Sequence, residues 1–153
     1  VQTGSAQKSI KSTKCYSNKY LGRDKVFTKM LHTPYFNGGE DSLVNYLMSN
    51  INFQKLMTDL PQNESIYTDS ARIKFIVAKD GHISDLSVTL AKRKIFTDEI
   101  TTVIKNSSCN WIAGGTERLL TGWLQFDIYY TTDRRYNELA TKLKIKMFQY
   151  ATN

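Results

Sequence analysis

The residue types that catalysis, metal binding or redox chemistry draws on are few in this 153-residue chain: His32, His82, Cys15, Cys109, the pair Ser107-Ser108, and the carboxylates Asp80 and Asp85. Their spacing argues against a shared site. His82 follows Asp80-Gly81, a turn dipeptide, and an exposed, solvated ring is the ordinary outcome there. Asp80 belongs to the turn itself, and Asp85 reads as a surface partner for Lys or Arg rather than a general acid. Ser107-Ser108 sits at the end of a helical stripe, whereas a nucleophile elbow needs a strand before it. Gly38-Gly39 lacks a third Gly and a following Lys-Ser/Thr, so it is not a phosphate loop. There is no CxxC pair and no Cys/His cluster with ligand spacing. The expectation is a non-enzymatic protein with no cofactor and no metal. In an oxidising compartment Cys15 and Cys109 could pair and pin the N-terminal segment to the body. Because Cys15 borders a polar segment, the reading favoured is two unpaired thiols, with Cys109 a small buried hydrophobe.

Charge narrows the partner class. The formal total is +7. Residues 1–33 hold seven Lys/Arg against Asp24 alone, and residues 133–153 hold five against Asp133 and Glu138. The middle, 34–132, has nine basic and eleven acidic residues. The basic excess therefore lies on the flanks. Nucleic-acid binding calls for a basic face with stacking aromatics on the fold itself, so no nucleic-acid partner is expected. Hydrophobic residues make up 41% of the chain, which fits a globular protein, and no apolar run approaches the ~20 residues of a transmembrane helix. The first residue is Val1; the expectation is that an upstream segment, of which a signal peptide is the natural candidate, was removed.

The elements follow from periodicity. Ile73, Phe75 and Val77 alternate with Arg72, Lys74 and Ile76, and Leu86, Val88 and Leu90 alternate with Ser87 and Thr89. With Asp80-Gly81 between them, this predicts a β-hairpin with a type I′ turn. Ile83 falls out of phase with Leu86, so a bulge after the turn is expected. Leu43, Leu47 and Ile51 mark a helix entered through Gly38-Gly39, with Glu40 and Asp41 in its first turn. Phe53 to Leu60 could add a short second helix before Pro61. Phe96, Ile100, Val103 and Ile104 mark another helix, with Thr97 as the expected cap. Leu120 to Tyr130 is a third strand, with Leu124, Phe126 and Ile128 on one face. Val26 to Leu31 could form a short edge strand. One apolar stripe per helix and one fully apolar sheet face imply an α+β fold. The expected form is a three-stranded antiparallel sheet with two helices packed on one face, in the order α-β-β-α-β. The core is expected to include Leu47, Phe75, Val77, Val88, Ile100, Val103, Trp111, Leu124 and Phe126. Residues 1–25 read as a flexible basic extension, 26–132 as the domain, and 133–153 as a basic extension. A helix is expected over 134–144, although Leu143 to Met147 also alternates as a strand would.

Three motifs in order carry a resemblance: Pro34-x-Phe36-x-Gly38-Gly39-Glu40 before a helix; Val77-x-Lys79-Asp80-Gly81-x-Ile83-Ser84-Asp85-Leu86-x-Val88; and Trp111-x-x-Gly114 before a strand with Phe126-x-Ile128. Over about 26–130 the chain resembles the TonB C-terminal domain of Bacteroidetes-type bacteria. It departs from that family at Asn37 and Ala113, where Pro is usual, and in its longer 53–70 connector. The resemblance implies an exported protein of the periplasm or cell envelope of a Gram-negative bacterium. It implies a protein-binding module that pairs a partner segment with a sheet edge, the partner class being an outer-membrane TonB-dependent receptor and the role outer-membrane transport. By the same analogy Leu120, Thr121, Gly122, Trp123, Leu124, Gln125 and Phe126 form the partner-binding edge, which the C-terminal tail could cover. The alternative is a stand-alone periplasmic assembly domain that self-associates, as a homodimer, through its edge strands without energy transduction.

Overall fold

Twelve consecutive residue pairs join two long antiparallel strands, from Ile66 opposite Asp133 to Val77 opposite Gly122, and the other elements are arranged about them. The computed structural model describes residues 13–58, 60–61, 63–133, 135 and 140–148. In chain order the elements are β1 (Tyr16–Ser17), β2 (Tyr35–Phe36), α1 (Glu40–Asn50), α2 (Phe53–Leu56), β3 (Ile66–Val77), β4 (Ile83–Thr89) and α3 (Lys94–Asn106). A 3-10 turn at Ser108–Asn110 leads to β5 (Trp111–Ile112), β6 (Gly114–Gly115), β7 (Leu119–Leu120), β8 (Gly122–Asp133) and β9 (Ala140–Phe148). The fold is mixed α+β. Its main sheet has the order β1-β4-β3-β8-β9, and β2–β5 and β6–β7 form two small ribbons. Five strands therefore replace the expected three: β1 extends one side, parallel to β4, and β9 the other, antiparallel to β8.

The buried face follows the period-2 pattern. Ala71, Ile73, Phe75 and Val77 share a core with Leu124, Phe126, Ile128 and Tyr130 from β8. Helix residues Leu43, Tyr46, Leu47, Phe96, Ile100, Val103 and Ile104 complete it. Trp111 packs edge-on against Phe75, 4.9 Å between centroids, and Phe36 against Trp111 at 5.1 Å. Of the residues expected in the core, Val88 alone is only half-buried; the others are buried. The two main helices are tied by the Tyr46 hydroxyl, which donates to the Val103 carbonyl at 2.7 Å. Burial holds the Tyr46 hydroxyl well above its usual range, so it stays protonated.

Several local expectations are corrected. The hairpin turn is not type I′. Gly81 N donates to Ala78 O and Ala78 N to His82 O, both at 2.8 Å, and Asp80 is not among the positive-φ residues. This is a type I turn followed by Gly81 at φ 90°, a three-residue loop that Asp-Gly satisfies equally well. The expected bulge lies between Ser84 and Ser87, where the register with β3 shifts and Asp85 takes φ 56°. α3 begins at Lys94, so Thr97 is inside it rather than capping it; its carbonyl accepts from Thr101. Val26 to Leu31 is no strand, and only Phe27 bridges to Gly122.

The extensions differ most. Cys15 and Cys109 are joined by a disulfide, Cα atoms 5.1 Å apart, against the expectation of free thiols. Within the expected 1–25 extension Tyr16–Ser17 pairs with β4, Ile83 N donates to Cys15 O and Tyr20 N to the Asp85 carboxylate, and residues 1–12 fall outside the described residues. Residues 140–144 lie in a strand, not in the helix expected over 134–144, and 134 and 136–139 fall outside the described residues. In that strand Leu143, Ile145 and Met147 stand opposite Tyr130, Ile128 and Phe126. Burial against the β8 edge overrides the helical spacing.

Phe75→Ala or Phe126→Ala is expected to cost ~3–5 kcal/mol in urea unfolding, the range for a buried aromatic; a loss under about 1 kcal/mol would contradict this core. Replacing both cysteines with Ser is expected to lower stability by about 2–5 kcal/mol, because a cross-link closing so long a loop constrains the unfolded chain strongly. Equal stability of oxidised and reduced protein would remove the disulfide from the account.

Candidate protein-binding edge

The chemistry-bearing residues do not converge. His32 is exposed and engaged through its backbone with Gly115. His82 is exposed, its Nδ1 3.2 Å from Asp80. The Asp85 carboxylate accepts from Tyr20 N and the Ser84 hydroxyl. Ser107 Oγ accepts from the Trp111 indole at 2.9 Å, and Ser108 Oγ accepts from Cys15 N. Each of these groups holds a helix end, a turn or the disulfide segment in place.

The expected partner edge, Leu120 to Phe126, is an interior line of the sheet. One side of Gly122–Phe126 pairs with β3 throughout. On the other side Leu120 pairs with Gly114. Phe27 N donates to Thr121 O, and Trp123 N donates to Phe27 O, both at 2.9 Å. Gln125 and Phe126 then pair with Phe148 and Met147. Gly122 is needed at the crossing, because an added Cβ would lie 2.9 Å from the Phe27 carbonyl oxygen. The tail does cover β8, and it does so as a strand.

The outer edge therefore moves to β9, which has β8 on one side and, among the described residues, no strand on the other. Its side chains alternate cleanly. Lys142, Lys144 and Lys146 are exposed, while Leu143, Ile145 and Met147 are half-buried against the core. α1 packs beside β9 on the apolar side. The lysines lie on the sheet face away from the helices, in line with Arg72, Asp127 and Tyr129 on β3 and β8. Asp127 is buried, and the Arg72 guanidinium donates to both of its oxygens at 3.0 and 3.1 Å. That hydrogen-bonded contact, foremost among the causes, raises the Arg72 pKa further. Arg72 also lies over the Phe148 ring, 5.0 Å from its centroid, so one guanidinium binds three strands together. At the far end Arg93 donates to the Tyr130 hydroxyl at 2.8 Å and covers Tyr67; burial nevertheless pushes the Tyr130 pKa up to about 12. The β9 edge was readable only as the alternation of Leu143 to Met147, which the sequence could equally place on a helix.

No family model, no curated protein and no solved structure matches this chain.

Ile145→Asp would set a carboxylate against Ile128 across the β8–β9 ladder. Amide exchange of residues 125–132 is expected to accelerate at least about tenfold as β9 lifts from its place. Unchanged exchange there would mean that β9 does not seal β8.

Proposed function

We propose that this chain is a non-enzymatic protein-binding module of the cell envelope that takes up an extended partner segment by strand addition. The observation that carries this reading is the nine-residue outer edge of β9, which has no neighbouring strand among the described residues. Such an edge presents main-chain donors and acceptors that a partner backbone satisfies, while side chains beside them set selectivity. The three ordered motifs resembling the TonB C-terminal domain support the same reading and point to an outer-membrane receptor as the partner class, with the binding line one strand further out than the resemblance implies. The Cys15–Cys109 disulfide is compatible with export to an oxidising compartment.

Self-association through edge strands is the rival reading, and β9 disfavours it. A two-fold antiparallel pairing that keeps both apolar faces together sets lysine opposite lysine, Lys144 beside its own copy and Lys142 beside Lys146 when the axis passes through residue 144, or Lys142 beside Lys144 when it passes through residue 143, and like charges directly opposite are destabilising.

A panel of short extended peptides, alternating Val with Gln, Glu or Lys, tests the proposal against labelled full-length chain. At least one member is expected to bind and to slow exchange at alternate amides of Ala140–Phe148, while light scattering reports a monomer. Protection elsewhere in the sheet, or concentration-dependent dimers that protect β9 without peptide, would contradict it.

A further inference from the structure

The three lysines of β9 recur at every second residue, so along an extended chain their stems stand ~6.6–6.8 Å apart. All three are exposed, and among the described residues none makes an ion pair. Their neighbours on β8 offer little. Lys142 stands opposite Thr131, Lys144 opposite Tyr129 and Lys146 opposite Asp127. Asp127 is the only carboxylate in that row, and Arg72 already holds both of its oxygens, with the Tyr129 hydroxyl as a further donor. Lys146 instead lies 5.7 Å from the Phe148 ring centroid.

An incoming strand repeats the period of β9. Residues that directly oppose each other on adjacent strands point to the same face. A segment with an acid at every second position would therefore bring each carboxylate beside one lysine, while its intervening residues would continue the apolar surface of Leu143, Ile145 and Met147. At the Met147–Phe148 end lies an open groove of about 560 Å³ lined by Leu31, His32, Thr33, Tyr35, Met147 and Phe148. Leu31 is 66% and Tyr35 47% exposed, so a bulky apolar residue at that end of the segment has a surface to rest on.

Building on the strand-addition reading, we propose that the outer edge of β9 selects an extended protein segment with Asp or Glu at alternate positions and apolar residues between them, its carboxylates paired with Lys142, Lys144 and Lys146. Lysines on an edge strand also serve merely to repel unwanted strands. In that case all strands are disfavoured and acidic ones gain no preference. On β9 the charges stay on one face and leave the other apolar, so a matched strand gains on both.

Titrating the full-length chain with octapeptides separates these outcomes. The probes are Val/Glu alternating, Val/Gln alternating, and the Val/Glu peptide with two residues replaced by Pro, which removes strand-forming donors at unchanged charge pattern. Each is measured at about 50 mM and about 1 M salt, where screening lengths differ severalfold. The Val/Glu peptide is expected to bind about tenfold tighter than Val/Gln at low salt, as three cross-strand ion pairs would give, and to lose most of that margin at high salt. The K142Q/K144Q variant should erase most of the margin while binding Val/Gln as before. Equal binding of Val/Glu and Val/Gln would overturn the acidic preference and leave strand addition standing. Binding of the proline-interrupted peptide, or of a single-stranded oligonucleotide, as tightly as Val/Glu would reduce the row to a patch for any polyanion and overturn the proposal. Absence of binding by every peptide would remove the strand-addition reading beneath it.

Discussion

The pairing of β3 with β8 is the constraint on which the rest of the molecule depends. Twelve residue pairs fix the register, and a one-residue slip would turn Ile73, Phe75, Leu124 and Phe126 out of the core together. A sheet face that apolar must be covered, and the two amphipathic helices supply the cover through Leu43, Leu47, Phe96 and Ile100. Trp111 closes the layer where the chain returns from α3, its indole bonded to Ser107 and its rings against Phe75 and Phe126.

The same ladder decides where the sheet can still accept a strand. β4 is flanked by β1 over Ile83 and Ser84, and the disulfide holds β1 there. On the opposite side β9 occupies β8 from Gln125 to Asp133, and Phe27 occupies it at Gly122. The Arg72–Asp127 pair stiffens this junction from the solvent side. Asp127 is buried, and its carboxylate accepts from the Arg72 guanidinium at both oxygens and from the Tyr129 hydroxyl. Among the described residues two stretches of strand edge have no strand beside them, Leu86–Thr89 of β4 and the whole of β9, and β9 is the longer, with a cationic face and an apolar face.

Much of the framework was legible because it rests on local period. The alternation around Phe75, the Leu43-Leu47-Ile51 stripe and the Phe96-Ile100-Val103 stripe each point to one kind of element, and each is found. Features that rest on distant contacts were not legible. Cys15 and Cys109 are 94 residues apart, and only the fold brings them to bonding distance. Tyr16–Ser17 becomes a strand because Ile83 and Ser84 lie beside it, not from propensity over two residues. The tail satisfies two periods at once, and the vacant β8 edge chose the strand. That choice made Leu120–Phe126 an interior line and transferred the candidate site to Lys142, Lys144, Lys146 and the apolar residues between them.

The central claim is that a partner backbone lies directly against β9. Isotope-filtered nuclear Overhauser measurements on the labelled chain with an unlabelled alternating acidic peptide address it most directly. The account predicts cross-strand backbone contacts between the peptide and residues 141–147, with the peptide's apolar side chains touching Leu143, Ile145 or Met147. Backbone contacts confined to the β4 side of the sheet, or side-chain contacts to the lysines with no backbone contact at all, would contradict it.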